Sequence, residues 1–167
     1  MIKEMLSKQI EVDCLIQEKY NGDFRKTLSK RIIAFKIEVS ELANEIASFK
    51  YWKESHVKNK ERILEEASDC LAFLFSIVNS YELNKRFYRL TKNHGDYEIK
   101  EFNLDKTIDL NIKFLLETEI DQDVETLQEL FSTICWLVNA CGYTGDELFK
   151  QYFVKCEENI RRAKEGY

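Results

Sequence analysis

The chain has 167 residues, 44% hydrophobic and 33% charged, with 25 Lys and Arg against 30 Asp and Glu for a formal net charge of −5. That length suits a single domain spanning 1–167, or one protomer of an oligomer, and the acidic balance argues against a nucleic-acid partner held through its phosphates. With no proline and only five glycines, the turn formers that a β-sandwich needs are missing, so an all-α fold of about five or six long helices is expected.

The first helix is expected from Met1 to about Tyr20, ended by Asn21-Gly22. A second should run from about Arg25 to Trp52. Its Phe35, Val39, Leu42, Ile46 and Phe49 step by four and three, the helical period. After the polar break ESHVKNK, a third is expected from Lys60 to Leu83, with the wide apolar stripe of a central bundle helix. Residues 84–105 are polar and irregular, with His94-Gly95-Asp96 at the expected tip; the segment reads as a loop or a mobile helical insert. Leu104, Ile108, Ile112, Leu115 and Leu116 mark another helix. Asp121–Ala140 reads as a clearer one, with acids at its start and Gly142 just beyond its end. Thr144-Gly145-Asp146-Glu147 matches a capping box opening the last helix.

Five cysteines, Cys14, Cys70, Cys135, Cys141 and Cys156, include no C-x-x-C pair. They read as reduced, mostly core thiols of an intracellular protein. The N-terminus lacks the apolar core of a signal peptide, and the longest apolar stretch, around Leu71–Val78, is far short of the roughly 20 residues of a membrane span. A soluble, cytoplasmic protein without a membrane partner is expected.

The chemistry begins with carboxylates. At 100° per residue, Glu38, Glu41 and Glu45 fall within an arc of roughly 60° beside the apolar stripe of the second helix. Glu66 and Asp69 flank the stripe of the third, and Phe73 continues their line one turn later. Antiparallel packing of these helices would let the two acid pairs face one another across a groove. Such an all-oxygen set suits Mg²⁺. The plain alternative is a solvated helix face: with 30 acids in 167 positions, chance gives on the order of five acid pairs at spacing three. Position favours the site, because both pairs border apolar stripes, where an unpaired charge is costly.

Phe49-Lys50-Tyr51-Trp52-Lys53 follows the first acid pair. Its aromatics suit stacking on a nucleobase and its lysines suit phosphates; core packing of Phe49 and Trp52 is the alternative. On the last helix Lys155, Asn159 and Arg162, at spacings four and three, share one face. They could bind phosphates and a sugar or base edge, or form an ordinary polar helix end.

Together these segments resemble a known family. Glu38-x-x-Glu41 followed by Glu66-x-x-Asp69 resembles the E-x-x-E…E-x-x-D signature of the all-α nucleoside triphosphate pyrophosphatases, the MazG-like superfamily. Within it the resemblance is to the dimeric dUTPases. FKYWK at 49–53 resembles their aromatic-basic segment. KCEENIRRAKEGY at 155–167 resembles their C-terminal K-x-x-x-N-x-x-R…G-Y motif, and Gln9 with Asp13 resembles their N-terminal pair. Departures are Ala72 where a histidine often precedes the phenylalanine, Cys156 for an asparagine, Ala163 for a glutamine and Lys8 for an apolar residue. They leave the acid motif intact and bear on sugar and base selectivity.

The resemblance implies a homodimeric enzyme that hydrolyses dUTP to dUMP and pyrophosphate with two or more Mg²⁺ ions. Glu38, Glu41, Glu66 and Asp69 would hold the metal, and Glu41 would take the proton from the attacking water. Lys155 and Arg162 would bind phosphate oxygens, with Lys50 and Lys53 as further phosphate residues. Asn159 or Gln9 would read the uracil edge, Trp52 and Phe73 would wall the base, and Asp13 would line the pocket. Two other readings are a MazG-like enzyme acting on dCTP or a damaged nucleotide, and a non-catalytic helical interaction module whose acids are solvated or paired with Lys and Arg.

Overall fold

The computed structural model describes residues 1–20, 23, 26–53, 59–92 and 104–165. Among them it is all-α, with seven helices: α1 (Ile2–Tyr20), α2 (Leu28–Ile46), α3 (Lys60–Ser80), α4 (Asn84–Thr91), α5 (Leu104–Glu117), α6 (Val124–Ala140) and α7 (Gly145–Glu165).

Helix starts follow local chemistry. The Asn59 side chain caps α3 by accepting from Arg62 N at 3.3 Å. Asp123 does the same for α6 through Thr126 N at 2.9 Å. The capping box of α7 forms in both directions: Thr144 N donates to Glu147 Oε2 at 2.9 Å, and Glu147 N donates to Thr144 Oγ1 at 3.2 Å. Gly142, at φ +89°, ends the turn after α6, a backbone geometry that side-chain-bearing residues resist.

Two elements differ from the sequence expectation. The second helix stops at Ile46 and does not reach Trp52, because Ala47 turns left-handed at φ +57° while its N–H still bonds Ala43 O at 2.8 Å. A left-handed alanine costs about 1 kcal/mol. It puts 49–53 outside the helix, in turns closed by bonds such as Lys53 N to Lys50 O at 3.0 Å. The segment expected to be irregular from 84 begins instead with a helix, α4. Phe87 is fully buried there, edge-on to Phe75 at 6.0 Å and to Phe131 at 5.8 Å. One buried aromatic in eight residues is too little periodicity to see in advance. Residues 93–103, with the expected tip at His94, lie outside the described residues.

Helix α3 is the centre. Thirteen of its 21 residues are buried, and α1, α2, α4, α6 and α7 all pack on it. Phe75 meets Phe87, Phe131 and Tyr152, whose ring lies 5.5 Å away. Its wide apolar face is therefore covered within the protomer. Helix α5 is tied to α2 by Lys36, whose Nζ donates to Leu115 O and Thr118 O, both at 2.7 Å. That places a cation on carbonyls at the negative end of a helix. Cys70, Cys135 and Cys156 are buried, and Cys14 is exposed. No helix among the described residues is long and apolar enough to cross a membrane.

Candidate active site

A cleft of about 580 Å³ opens between α1, α2, α3 and α7, within the range of small-molecule sites. Glu38 enters from α2, and Glu66 and Asp69 enter from α3. One oxygen of each lies within 4.8 Å of the others. Glu41 lines the same cleft from its exposed rim, outside that trio. The extensive α2–α3 packing brings the two acid pairs together, since each pair borders the stripe that packs.

Charge is concentrated here at a cost. Burial first, then repulsion by Asp69, Glu41 and Glu66, pushes the Glu38 carboxyl up to about 7, against the pull of Lys155. Burial likewise raises Glu66, opposed by Arg62, and raises Asp69, opposed by its hydrogen bond with Lys155. Lys155 is itself held above its usual range: burial works against the charge, but bonds to Asp69 and Glu65 outweigh it. Lys155 Nζ stands 2.8 Å from Asp69 and 3.2 Å from Glu65. Arg62 Nη2 stands 2.5 Å from Glu66. Glu38 and Glu41 make no ion pair among the described residues.

The far end of the cleft is set by α1. The Tyr152 hydroxyl shares its one proton between Met5 O at 3.0 Å and Gln9 Oε1 at 3.1 Å. Gln9 Nε2 in turn donates to Asp13 Oδ1 at 3.0 Å. Both ends of the Gln9 amide are thus engaged within the protein, so it orients Asp13. Asp13 Oδ2 and Ser76 Oγ are buried and lack hydrogen-bond partners among the described residues. Burial lifts the Asp13 carboxyl to about 6 in spite of Gln9, the nearby Ser76 hydroxyl and Arg31.

Phe73, Lys155, Asn159 and Arg162 also line the cleft, with Arg162 paired to Glu158 on its own helix. Lys50, Trp52 and Lys53 do not line it. Trp52 is 61% exposed and Phe49 43% exposed, so neither is core. Lys50 Nζ donates to Asn44 O at 3.1 Å and Oδ1 at 2.6 Å. The early end of α2 at Ala47 is the reason. Gly166 and Tyr167, which close the C-terminal motif, lie outside the described residues.

Four polar lining residues were not singled out from the sequence: Arg31, Arg62, Glu65 and Ser76. Each had a signal. Arg31 sits two turns before Glu38, Arg62 one turn before Glu66, Glu65 beside Glu66, and Ser76 is a hydroxyl within an apolar run.

The pairing of Glu66 and Asp69 with cations is what a non-catalytic module would also show, so geometry alone does not separate that reading from an enzyme. Comparison with known families does. No curated protein matches the chain. The family model described as dUTPase matches residues 1–167, the full length, and with the acid pairs, the α7 residues and the α1 pair meeting in one cleft, the chain belongs to the dUTPase family, enzymes that hydrolyse dUTP.

Proposed function

We propose that the chain is a Mg²⁺-dependent dUTP diphosphatase that releases dUMP and pyrophosphate, with the cleft between α2, α3 and α7 as its active site. The observation that carries this is the convergence of Glu38, Glu66 and Asp69 within 4.8 Å, beside Lys155, Asn159 and Arg162. The donor set is all carboxylate oxygen. Three carboxylate oxygens gathered in one cleft are the hard-oxygen chemistry that Mg²⁺ takes, so the residues present fit the ion. Bound there, two or more Mg²⁺ ions would neutralise the polyphosphate and activate water.

The chain's own residues supply the rest. Glu38, Glu41, Glu66 and Asp69 hold the metal, and Glu41, on the open rim, takes the proton of the attacking water. Lys155 and Arg162 bind phosphate oxygens, and Asn159 hydrogen-bonds the sugar or base. Phe73 walls the base. Lys50, Trp52 and Lys53 keep their substrate assignment on the family resemblance alone. At the α1 end, Asp13 Oδ2 accepts the uracil N3–H, and the Ser76 hydroxyl donates to a flanking carbonyl, which satisfies two atoms otherwise orphaned. Gln9 holds Asp13 in place rather than reading the base. Cytosine offers an unprotonated N3 to the same carboxylate, an acceptor facing an acceptor, and is rejected.

With pyrophosphate detection, purified protein should turn over dUTP at least on the order of 100-fold faster than dCTP, and EDTA should abolish the signal. Equal turnover of the two nucleotides would defeat the uracil reading, and full activity in EDTA the metal reading.

A cytoplasmic enzyme fits the buried thiols Cys70, Cys135 and Cys156. A homodimer follows from the resemblance. Ile33, Ile37 and Leu110, each more than half exposed on α2 and α5, are among the apolar side chains available for a partner. Sedimentation at micromolar concentration should give twice the 19.9 kDa chain mass; a monomer alone would contradict it.

A further inference from the structure

Glu65 bridges the two cations nearest the carboxylate trio. Its Oε2 lies 2.7 Å from Arg62 Nη1, and its Oε1 lies 3.2 Å from Lys155 Nζ. Each cation also holds a carboxylate of the site: Arg62 Nη2 lies 2.5 Å from Glu66 Oε1, and Lys155 Nζ lies 2.8 Å from Asp69 Oδ2. Glu66 and Asp69 are thus each paired with a cation of the chain, while Glu38 and Glu41 are not among the described residues. Both cations straddle the boundary: Lys155 holds Asp69 inside the metal-binding set and Glu65 outside it, and Arg62 holds Glu66 inside it and Glu65 and, at 3.9 Å, Glu45 outside it.

A divalent cation cannot join Glu66 and Asp69 while a guanidinium and an ammonium stay on the same oxygens, because like charges a few ångströms apart repel strongly. Entry of the metal must loosen Arg62 from Glu66 and Lys155 from Asp69. Glu65 then still holds both, one on each oxygen, at the wall of the cleft. The Arg62 side chain is 46% exposed, so it can swing without repacking the core. Its planar fork of donors matches phosphate oxygens.

We infer that Arg62 is a phosphate-binding residue tethered by Glu65, and that Arg62 and Lys155 pass from the carboxylates to the substrate's phosphates as the divalent cation binds. This rests on the metal-dependent reading above. It makes metal and polyphosphate binding mutually reinforcing through these two side chains, and such coupling is reciprocal.

Calorimetry on the full chain tests it, with Mn²⁺ alone and then pyrophosphate at saturating Mn²⁺. Arg62→Met should bind Mn²⁺ about five- to tenfold more tightly than the parent, because a competitor is gone, yet bind pyrophosphate at least tenfold more weakly. Opposite signs are the signature; a merely structural role would weaken both. Lys60→Met, which removes the same charge two residues earlier from a side chain paired with Glu147, should move neither. Arg62→Lys, which keeps the charge and loses the fork, should leave Mn²⁺ affinity near the parent's and still weaken pyrophosphate. Glu65→Gln should weaken pyrophosphate less in the Arg62→Met background than in the parent, as for a shared interaction. The inference falls if Arg62→Met moves Mn²⁺ affinity no more than Lys60→Met does, or lowers both affinities. A parent chain that hydrolyses dUTP with Mg²⁺ but shows that result sinks only this inference. A parent chain that binds no Mn²⁺ and ignores Mg²⁺ in the assay sinks the metal-dependent function with it.

Discussion

Glu41→Gln should lower dUTP turnover by about 10²- to 10⁴-fold, the range for loss of a general base, while helix content stays that of the parent. Of the four acids of the double motif, Glu41 is the one on the exposed rim. Glu38, Glu66 and Asp69 crowd within 4.8 Å, where they are placed to share a cation. Glu41, one turn beyond Glu38 and open to water, is placed to meet an incoming water molecule. Glutamine keeps the size and removes the basic oxygen. Because the side chain is exposed, little packing is lost, so circular dichroism and the unfolding midpoint should hardly change. Pyrophosphate release at saturating Mg²⁺ within a few-fold of the parent would remove Glu41 from the proton-transfer role.

The second large effect is on stability. Asp13→Asn should stabilise the protein near neutral pH by at most about 3 kcal/mol, taking about 1.4 kcal/mol per tenfold change in proton affinity. Burial raises the Asp13 carboxyl from its ordinary 3.8 to about 6, and Gln9, Ser76 and Arg31 only partly offset it. Between about pH 4 and pH 6 the folded chain keeps a proton that the unfolded chain has already lost. Folding stability contributed by this group therefore falls as pH rises through that window, and the loss is complete above it. Asparagine carries no charge to desolvate and can still accept from Gln9. Arg31 keeps its bonds to Thr27 and Ser80. Urea unfolding at pH 7.5 and at pH 4 checks this: the variant's advantage should be present at the first and nearly absent at the second. A parent as stable as the variant at pH 7.5 would show that the charge at position 13 is compensated. A buried carboxylate that costs stability is the kind of expense found at binding sites and rarely elsewhere.

Particular residues show how far the chain could be read in advance. The periodic stripes of α2, α3 and α5 and the capping box at Thr144 were legible because they depend on neighbours within four residues. So were the acid pairs, as patterns. Arg62 and Glu65 were not, because nothing local separates them from the many other charges on helix surfaces; only the approach of α7 gives Glu65 its second cation. Ser76 read as a minor break in an apolar run until α1 brought Asp13 opposite it. FKYWK was misplaced for a backbone reason. The apolar period runs on past Ile46 to Phe49, but Ala47 leaves the helix in the left-handed region, and no period reveals that.

By itself the sequence determined the all-α class, most of the helix limits and which side chains carry charge beside apolar stripes, since these follow from local periodicity and capping. The tertiary structure alone decided which charges meet, which polar atoms stay orphaned and which aromatics face solvent. Coulomb forces and burial act across space, between residues as far apart along the chain as Glu65 and Lys155.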